Sequence, residues 1–323
     1  CRQYAEKCKP LESVFIGGGT PTYLSCDELE NLLCCMKNTF PFKNDCEFTC
    51  ECNPESLTED KLRVLTHFGV NRISLGVQTF NEQHRRILNR TGDISHLQHL
   101  VNEIRNFGID NINFDLIYGI PDQTVKDWQS DLQKALELGI KHLSAYELTL
   151  EEGAALKSSI SSIDDEDLLK MWLKAREVAA SYGLRRYEVS NYASIGNECL
   201  HNLQIWHGAT YLGLGPSASS FDGCSRWQNP NDLEKWLNNE PPEIDHISEL
   251  DRATEIFAFG LRTAKGWDRN KFRNQTGYNI EDLPCKDTVY KLCEKGLLYE
   301  SKENILPTEK GLQFADHIIT AIL

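Results

Sequence analysis

Phe107-Gly108-Ile109-Asp110-Asn111-Ile112-Asn113-Phe114-Asp115-Leu116-Ile117-Tyr118 reads as a helix end, a glycine cap, a strand and a lone carboxylate near the strand's far end. Glycine just past a helix adopts the left-handed conformation that other residues reach only at a cost. The same unit recurs after Gly69, Gly139 and Gly183, with strands predicted at Arg72–Gln78, His142–Leu148 and Arg186–Tyr192. Gln78, Glu147 and Glu188 are the polar residues near those strands' ends. Repeated helix-cap-strand units imply parallel strands, and a β/α barrel carries its site at the strands' carboxyl ends.

Working outward, the pattern predicts strands Ser13–Ile16, Glu47–Cys52 and Asn111–Tyr118 and helices Asp27–Phe40, Thr58–Phe68, His96–Phe107, Thr124–Leu138 and Asp165–Tyr182. Asp27 is a plausible N-cap, and Thr58 opens an apolar stripe through Leu62, Leu65 and Phe68. Beyond Tyr192 the rhythm breaks. Residues His201–Phe221 read as a loop-rich closing segment and Pro230–Pro242 as a linker. Helices are then predicted at Glu255–Leu261, Lys271–Thr276, Asp287–Lys295 and Glu309–Leu323, with short strands Leu297–Glu300 and Ile305–Pro307 before the last of them. Helices followed by a small hairpin resemble a winged helix, read here as a packing domain rather than a DNA reader. The expected division is a barrel over residues 1–225 and a C-terminal domain over 226–323.

The 323 residues carry 34 Lys+Arg against 48 Asp+Glu, a net charge of −14, which repels phosphate backbones and argues against a nucleic-acid binder. No apolar run reaches the ~18–20 residues of a membrane span, and no signal peptide is visible. Twelve cysteines scattered through a long helix-and-strand chain point to free thiols in a reducing, cytoplasmic compartment. The first residue is Cys1, so a fragment lacking its own start is expected. Cys1, Ala5 and Cys8 keep a C-x3-C-x2-C spacing with alanine at the middle position, a set that cannot hold an iron–sulfur cluster through three thiolates. Cys46, Cys50 and Cys52 share one face of a strand and read as small buried hydrophobes.

The sharpest chemical signal is Val14-Phe15-Ile16-Gly17-Gly18-Gly19-Thr20-Pro21. Three glycines after a buried strand expose backbone groups with no Cβ to keep a ligand away, which suits the amino and carboxylate groups of a small zwitterion. No Lys-Ser/Thr follows, so this is not a P-loop, and the dinucleotide spacing is absent. Glu51 in Glu51-Cys52-Asn53-Pro54, Gln78, Asp115 and Arg90 in Leu88-Asn89-Arg90-Thr91-Gly92 stand in matching places. Carboxylates can take ribose hydroxyls, and an arginine can clamp a carboxylate.

These strings resemble the radical S-adenosylmethionine proteins. Phe15 through Ser25, Glu51-x-Asn53-Pro54, Asn71 through Phe80 and Asp115-Leu-Ile-Tyr-Gly-Ile-Pro121 are similar, in order and spacing, to the oxygen-independent coproporphyrinogen III oxidase family and its haem-chaperone branch, HemW. The resemblance implies a partial six-unit β/α barrel of the TIM type with a small C-terminal domain. It further implies an S-adenosylmethionine pocket lined by Gly17, Gly18, Gly19, Thr20, Glu51, Gln78, Arg90, Asp115 and Ile117. The family's [4Fe–4S] ligands precede the triple glycine by more than the sixteen residues available, so none is carried onto this chain, and no stable cluster is expected on it. His201-Asn202-Leu203-Gln204-Ile205-Trp206 is similar to the branch's HNxxYW motif, with Ile205 in place of tyrosine; Ser219 stands where a histidine is frequent. By that resemblance His201 is an axial haem ligand and Trp206 an apolar ring for the macrocycle, while His207 has no motif behind it. Three functions follow as expectations: a haem chaperone passing haem to acceptor proteins, a coproporphyrinogen oxidase decarboxylating two propionates, or a cluster-less binding protein.

Overall fold

The computed structural model describes residues 9–90, 92–149 and 163–323. Cys1, Ala5, Cys8 and Thr91 therefore lie outside the described residues. Two compact units divide the chain. The first runs to Arg186 and adds Ser190–Glu198; the second comprises Tyr187–Val189 and Cys199–Leu323.

The first unit is a seven-stranded sheet in the order β1 (Leu11–Ile16), β2 (Phe42–Cys52), β3 (Arg72–Gln78), β4 (Asn111–Tyr118), β5 (His142–Glu147), β7 (Asn191–Ala193), β6 (Arg185–Arg186). Strands β1 to β5 are parallel neighbours in chain order. Right-handed crossovers between sequential parallel strands keep every connecting helix on one face, so the sheet curls into part of a barrel. The glycine caps stand as read: Gly69, Gly108, Gly139 and Gly183 have φ of +84°, +85°, +69° and +83°. Strands β3 and β4 have the predicted bounds.

Two local readings are corrected. The helix Cys26–Thr39 is capped by Ser25 rather than Asp27, because Ser25 and Glu28 form a reciprocal box: Glu28 N–H donates to Ser25 Oγ and Ser25 N–H to Glu28 Oε2. The strand expected over Arg186–Tyr192 is instead β6 and β7, paired antiparallel, with β7 also antiparallel to β5. The residues between them leave the sheet. Val189 N–H bonds the Arg262 carbonyl, Ala264 N–H bonds the Tyr187 carbonyl, and Glu188 bridges Thr263. Glu188 is therefore buried in the second unit and is not a strand-end residue of the sheet.

The helix-facing side of the sheet is the core. Ile73, Leu75, Val77, Ile112, Phe114, Leu116 and Leu143 are buried there, and Tyr118 packs its ring 5.4 Å from Trp128 of the helix Val125–Glu137. Each such side chain contributes about 1.5–3 kcal/mol relative to exposure. Cys46, Cys50 and Cys52 share this parity and are buried free thiols.

The second unit holds the helix Leu200–Trp206, an antiparallel sheet of β8 (Ser219–Phe221), β9 (Ser225–Gln228) and β10 (Glu243–His246), and the helices Glu249–Gly260, Arg269–Thr276 and Lys286–Glu294. A second antiparallel sheet joins β11 (Trp267–Asp268), β13 (Asn304–Pro307) and β12 (Leu298–Glu300), giving the expected winged-helix pattern. Phe257, Trp267 and Phe272 stack edge-on at its centre. The segment read as a linker carries the helix Leu233–Leu237, capped by Asp232, and leads into β10 beside β9. The segment read as loop-rich likewise opens with a helix. Within this unit the His207 ring meets Trp267 edge-on, 4.9 Å between centroids. The final helix is two, Glu309–Gln313 and Ala315–Ile322, broken at Phe314.

Candidate functional site

Alternation along a strand sends successive side chains to opposite faces. With Ile73, Phe114 and Leu143 committed to the helices, the other face receives Thr49, Glu51, Arg72, Ser74, Gly76, Asn113, Asp115, Ile117, His142, Ser144 and Tyr146. Register sorts them into rows across the sheet. Thr49 pairs with Arg72; Glu51 with Ser74, Asn113 and His142; Gly76 with Asp115 and Ser144; Ile117 with Tyr146. This face is polar where the other is apolar, and its rows rise to the carboxyl ends of the strands.

Hydrogen bonds tie the rows together. Ser74 Oγ donates to Asp115 Oδ2 at 2.9 Å and Asn113 Nδ2 to Asp115 Oδ1 at 2.8 Å. His142 Nδ1 lies 2.6 Å from Asn113 Oδ1, and Ser144 Oγ donates to the same oxygen. Burial, with Arg72 adding to it, holds the His142 pKa well below its ordinary value, so the ring is neutral and its N–H donates. Burial raises the Asp115 carboxyl, opposed by its bonds to Ser144, Ser74 and Asn113 and by Arg72.

The triple glycine leaves β1 beside this network. Gly18 has φ +80° and donates its N–H to Glu51 Oε2 at 3.3 Å. A Cβ on Gly17 would lie 2.6 Å from the Glu51 carboxyl, whereas one on Gly18 or Gly19 would enter open space. The glycines thus let Glu51 close against the loop and leave the loop's outer side free for a ligand. Burial, then the charge of Asp115, pushes the Glu51 pKa up to about 7; the Gly18 N–H and Arg72 pull the other way. Thr20 follows in extended conformation and its carbonyl accepts from Tyr23 N–H.

At the end of β3 the register shifts between Gly76 and Gln78, and Gln78 takes φ +69°, a left-handed conformation unusual for a residue with a side chain. Such a bulge re-aims a side chain at a strand end. Asp131 holds the kink from behind, accepting from Thr79 Oγ1 at 2.6 Å and Phe80 N–H at 3.0 Å. The loop carrying Arg90 is braced by buried Arg85, which donates to the carbonyls of Val77 and Gly92 and to Glu55. The structure therefore brings Gly17, Gly18, Glu51, Gln78 and Asp115 to one edge with Ile117 in the same face. Arg90 sits on the adjoining loop, its N–H bonded to the Arg85 carbonyl. Sequence reading missed Arg72, Ser74, Asn113, His142 and Ser144; the signal was there in the polar alternation Arg72/Ser74, Asn113/Asp115 and His142/Ser144.

In the second unit the motif His201–Trp206 forms one short helix. At about 100° per residue, His201 and Trp206 lie roughly 140° apart around it, while Ile205 is within about 40° of His201. The Trp206 ring already has the Arg262 guanidinium 4.7 Å from its centroid. His207 is a structural residue: Nδ1 lies 2.8 Å from the Leu203 carbonyl and its ring packs on Trp267.

Residues 1–135 match the model of the radical SAM superfamily. The haem chaperone HemW of Lactococcus lactis is 32% identical over 97% of this chain and 85% of its own length. That of Escherichia coli is 34% identical over 98% and 85%. The chain belongs to the HemW family of radical SAM proteins. Its fold is also that of the coproporphyrinogen III oxidase HemN of Escherichia coli, with a TM-score of 0.82 over 96% of this chain and 77% of the other, at 24% identity. The superfamily implies S-adenosylmethionine and a [4Fe–4S] cluster. The open cradle at Gly18 and Gly19, facing a carboxylate, fits the first. Among the described residues no three or more His, Cys, Asp or Glu side chains are grouped to hold a metal, so the described thiols do not fit the second. No helix among the described residues is long and apolar enough to cross a membrane.

Proposed function

We propose that this protein binds S-adenosylmethionine at the carboxyl ends of β1 to β4 and acts in the cytoplasm as a haem chaperone, binding haem and passing it to acceptor proteins. The observation that carries the reading is the relatedness to haem chaperones across 97–98% of the chain, through both units, together with a strand-end cradle suited to a zwitterion. Gly18 and Gly19 admit the ligand's amino-acid end to the backbone. Glu51 takes the ammonium, Asp115 and Gln78 orient hydroxyl and ring donors, Ile117 packs against the apolar part, and Arg90 closes on the carboxylate. His201 would supply an imidazole nitrogen as an axial ligand to haem iron. A barrel over residues 1–225 and a C-terminal domain over 226–323 remain our proposed functional division.

Haem titration followed by absorbance, on the wild type and His201→Ala, tests the chaperone half. Loss of the ligand-bound spectrum in the variant is expected; coincident spectra and affinities would make His201 structural. Calorimetric titration of S-adenosylmethionine into cluster-reconstituted full-length protein tests the other half. Asp115→Ala and Arg90→Ala should each weaken binding by about 1.5–3 kcal/mol. Decarboxylation of coproporphyrinogen by that preparation would replace the chaperone reading with the oxidase one.

A further inference from the structure

Arg72 is 2% exposed at the start of β3, and its Nε has no hydrogen-bond partner among the described residues. A buried guanidinium nitrogen left unbonded is costly, so its position calls for a reason. It stands on the polar face of the sheet, in the row below Glu51, with Asp115 one row further on. Adjacent rows on one face of a strand are separated by roughly 6.6 Å, within reach of an arginine side chain leaning along the strand. The groups facing Glu51 are Asp115 from β4, Arg72 from β3 and the Gly18 N–H from the glycine loop; His142 on β5 is neutral. Arg72 is the cation among them.

We infer that Arg72 is a positioning residue of the strand-end pocket: its buried charge favours Glu51 and Asp115 as carboxylates together on one face of the sheet, so that the pocket can meet a cationic ligand group. The inference rests on the S-adenosylmethionine reading above. It acts through the two carboxylates rather than on the ligand. Both are raised by burial, and Arg72 opposes the rise in each. Removing it should keep a proton on the pair to higher pH than in the wild type, since two unshielded carboxylates in a poorly hydrated site do not both ionise.

The test is carboxyl carbon NMR titration of Glu51 and Asp115 from about pH 5 to 9 in ligand-free full-length protein. The wild type is compared with Arg72→Met, Arg72→Gln and Arg72→Lys. Methionine replaces a buried cation with an apolar chain, a change that buried sites tolerate. In both neutral variants the Glu51 midpoint should rise by about one pH unit, and Arg72→Lys should keep it near wild type. Relative to wild type at the same pH, S-adenosylmethionine affinity in Arg72→Met should fall about fivefold at pH 7 and converge on the wild-type value by about pH 9. An unmoved midpoint, or an affinity lost equally at every pH, overturns the inference and makes Arg72 a packing residue. If wild-type protein fails to bind S-adenosylmethionine, the pocket reading falls, and the ligand-free midpoints still decide for or against Arg72.

Discussion

The strand-end pocket and the helix Leu200–Trp206 both came from sequence motifs, yet they are built in opposite ways. In the pocket the backbone does most of the arranging. Three glycines, a bulge and a left-handed Gln78 shape the strand ends, and a Cβ on Gly18 or Gly19 would still enter open space. At the helix, two side chains have partners inside their own unit: Trp206 faces Arg262, and His207, just past the helix end, is held by Leu203 and Trp267. The first region is prepared by geometry, with strain at Gln78 supported by Asp131. The second must break or share existing contacts before its tryptophan can serve a ligand.

The comparison breaks most sharply at Gly17. Gly17→Val drives a side chain into the Glu51 carboxylate and should weaken S-adenosylmethionine binding by about 2–3 kcal/mol, with little change in thermal stability. Gly19→Ala enters open space, so any loss of affinity there reports direct approach of the ligand. Calorimetry and thermal melts on the two variants separate a displaced carboxylate from a blocked cradle. Equal affinity in Gly17→Val and wild type would remove Glu51 from the pocket.

A smaller effect comes from pH. Glu51, with its pKa near 7, is ionised above that value and protonated below it. A ligand ammonium prefers the carboxylate, so affinity should fall up to tenfold per unit below about pH 7, and decline again above about pH 8 as the ligand's own α-amino group loses its proton. Glu51→Gln should bind more weakly and lose the fall below about pH 7. A flat wild-type profile across that window would show that no charge on Glu51 meets the ligand.

Legibility in the sequence followed the same contrast. The parallel core was readable because glycine caps and apolar alternation are local signals, and β3 and β4 were placed to the residue. The pocket's edge was readable through the triple glycine and the strand-end polar residues. Its floor was overlooked, because Arg72, Ser74, Asn113 and His142 become one network only when register sets β2 to β5 side by side. The strand expected over Arg186–Tyr192 failed for a related reason. Its composition suits a strand, but the partners of Tyr187 and Val189 lie more than seventy residues ahead at Arg262 and Ala264. Short helices such as Leu200–Trp206 and Leu233–Leu237 carry too few turns to show a periodicity.

A further step down in size is Asp131. Asp131→Ala leaves Thr79 and Phe80 without their buried acceptor and should cost about 1–3 kcal/mol of stability. Because Asp131 holds the turn that follows Gln78, the variant should also lose S-adenosylmethionine affinity by a few-fold while Asp131→Asn, which keeps an acceptor, loses less. Stability lost with affinity intact would separate the kink from the pocket and make Gln78's conformation a matter of folding alone.

The smallest effect belongs to the second region, at Arg262. Its guanidinium lies over the Trp206 ring and its Nη1 reaches Asp316 at 2.5 Å. The Asp316 side chain is largely exposed, so that ion pair is screened and contributes little. The cation–π contact is worth about 0.5–1 kcal/mol at a partly exposed site. Arg262→Ala should therefore lower stability only slightly while baring one face of the indole. If Trp206 offers its ring to haem, the bared face should tighten haem binding by a few-fold, read by absorbance titration against the wild type. If haem sits instead along the His201–Ile205 stripe of the helix, about 140° from Trp206, haem affinity in Arg262→Ala should be unchanged. Ile205→Ala should then weaken it. The two variants measured side by side assign the macrocycle to one face of a single helix, and unchanged haem affinity in both would take Trp206 and Ile205 out of haem binding and leave the motif's role to the His201→Ala titration.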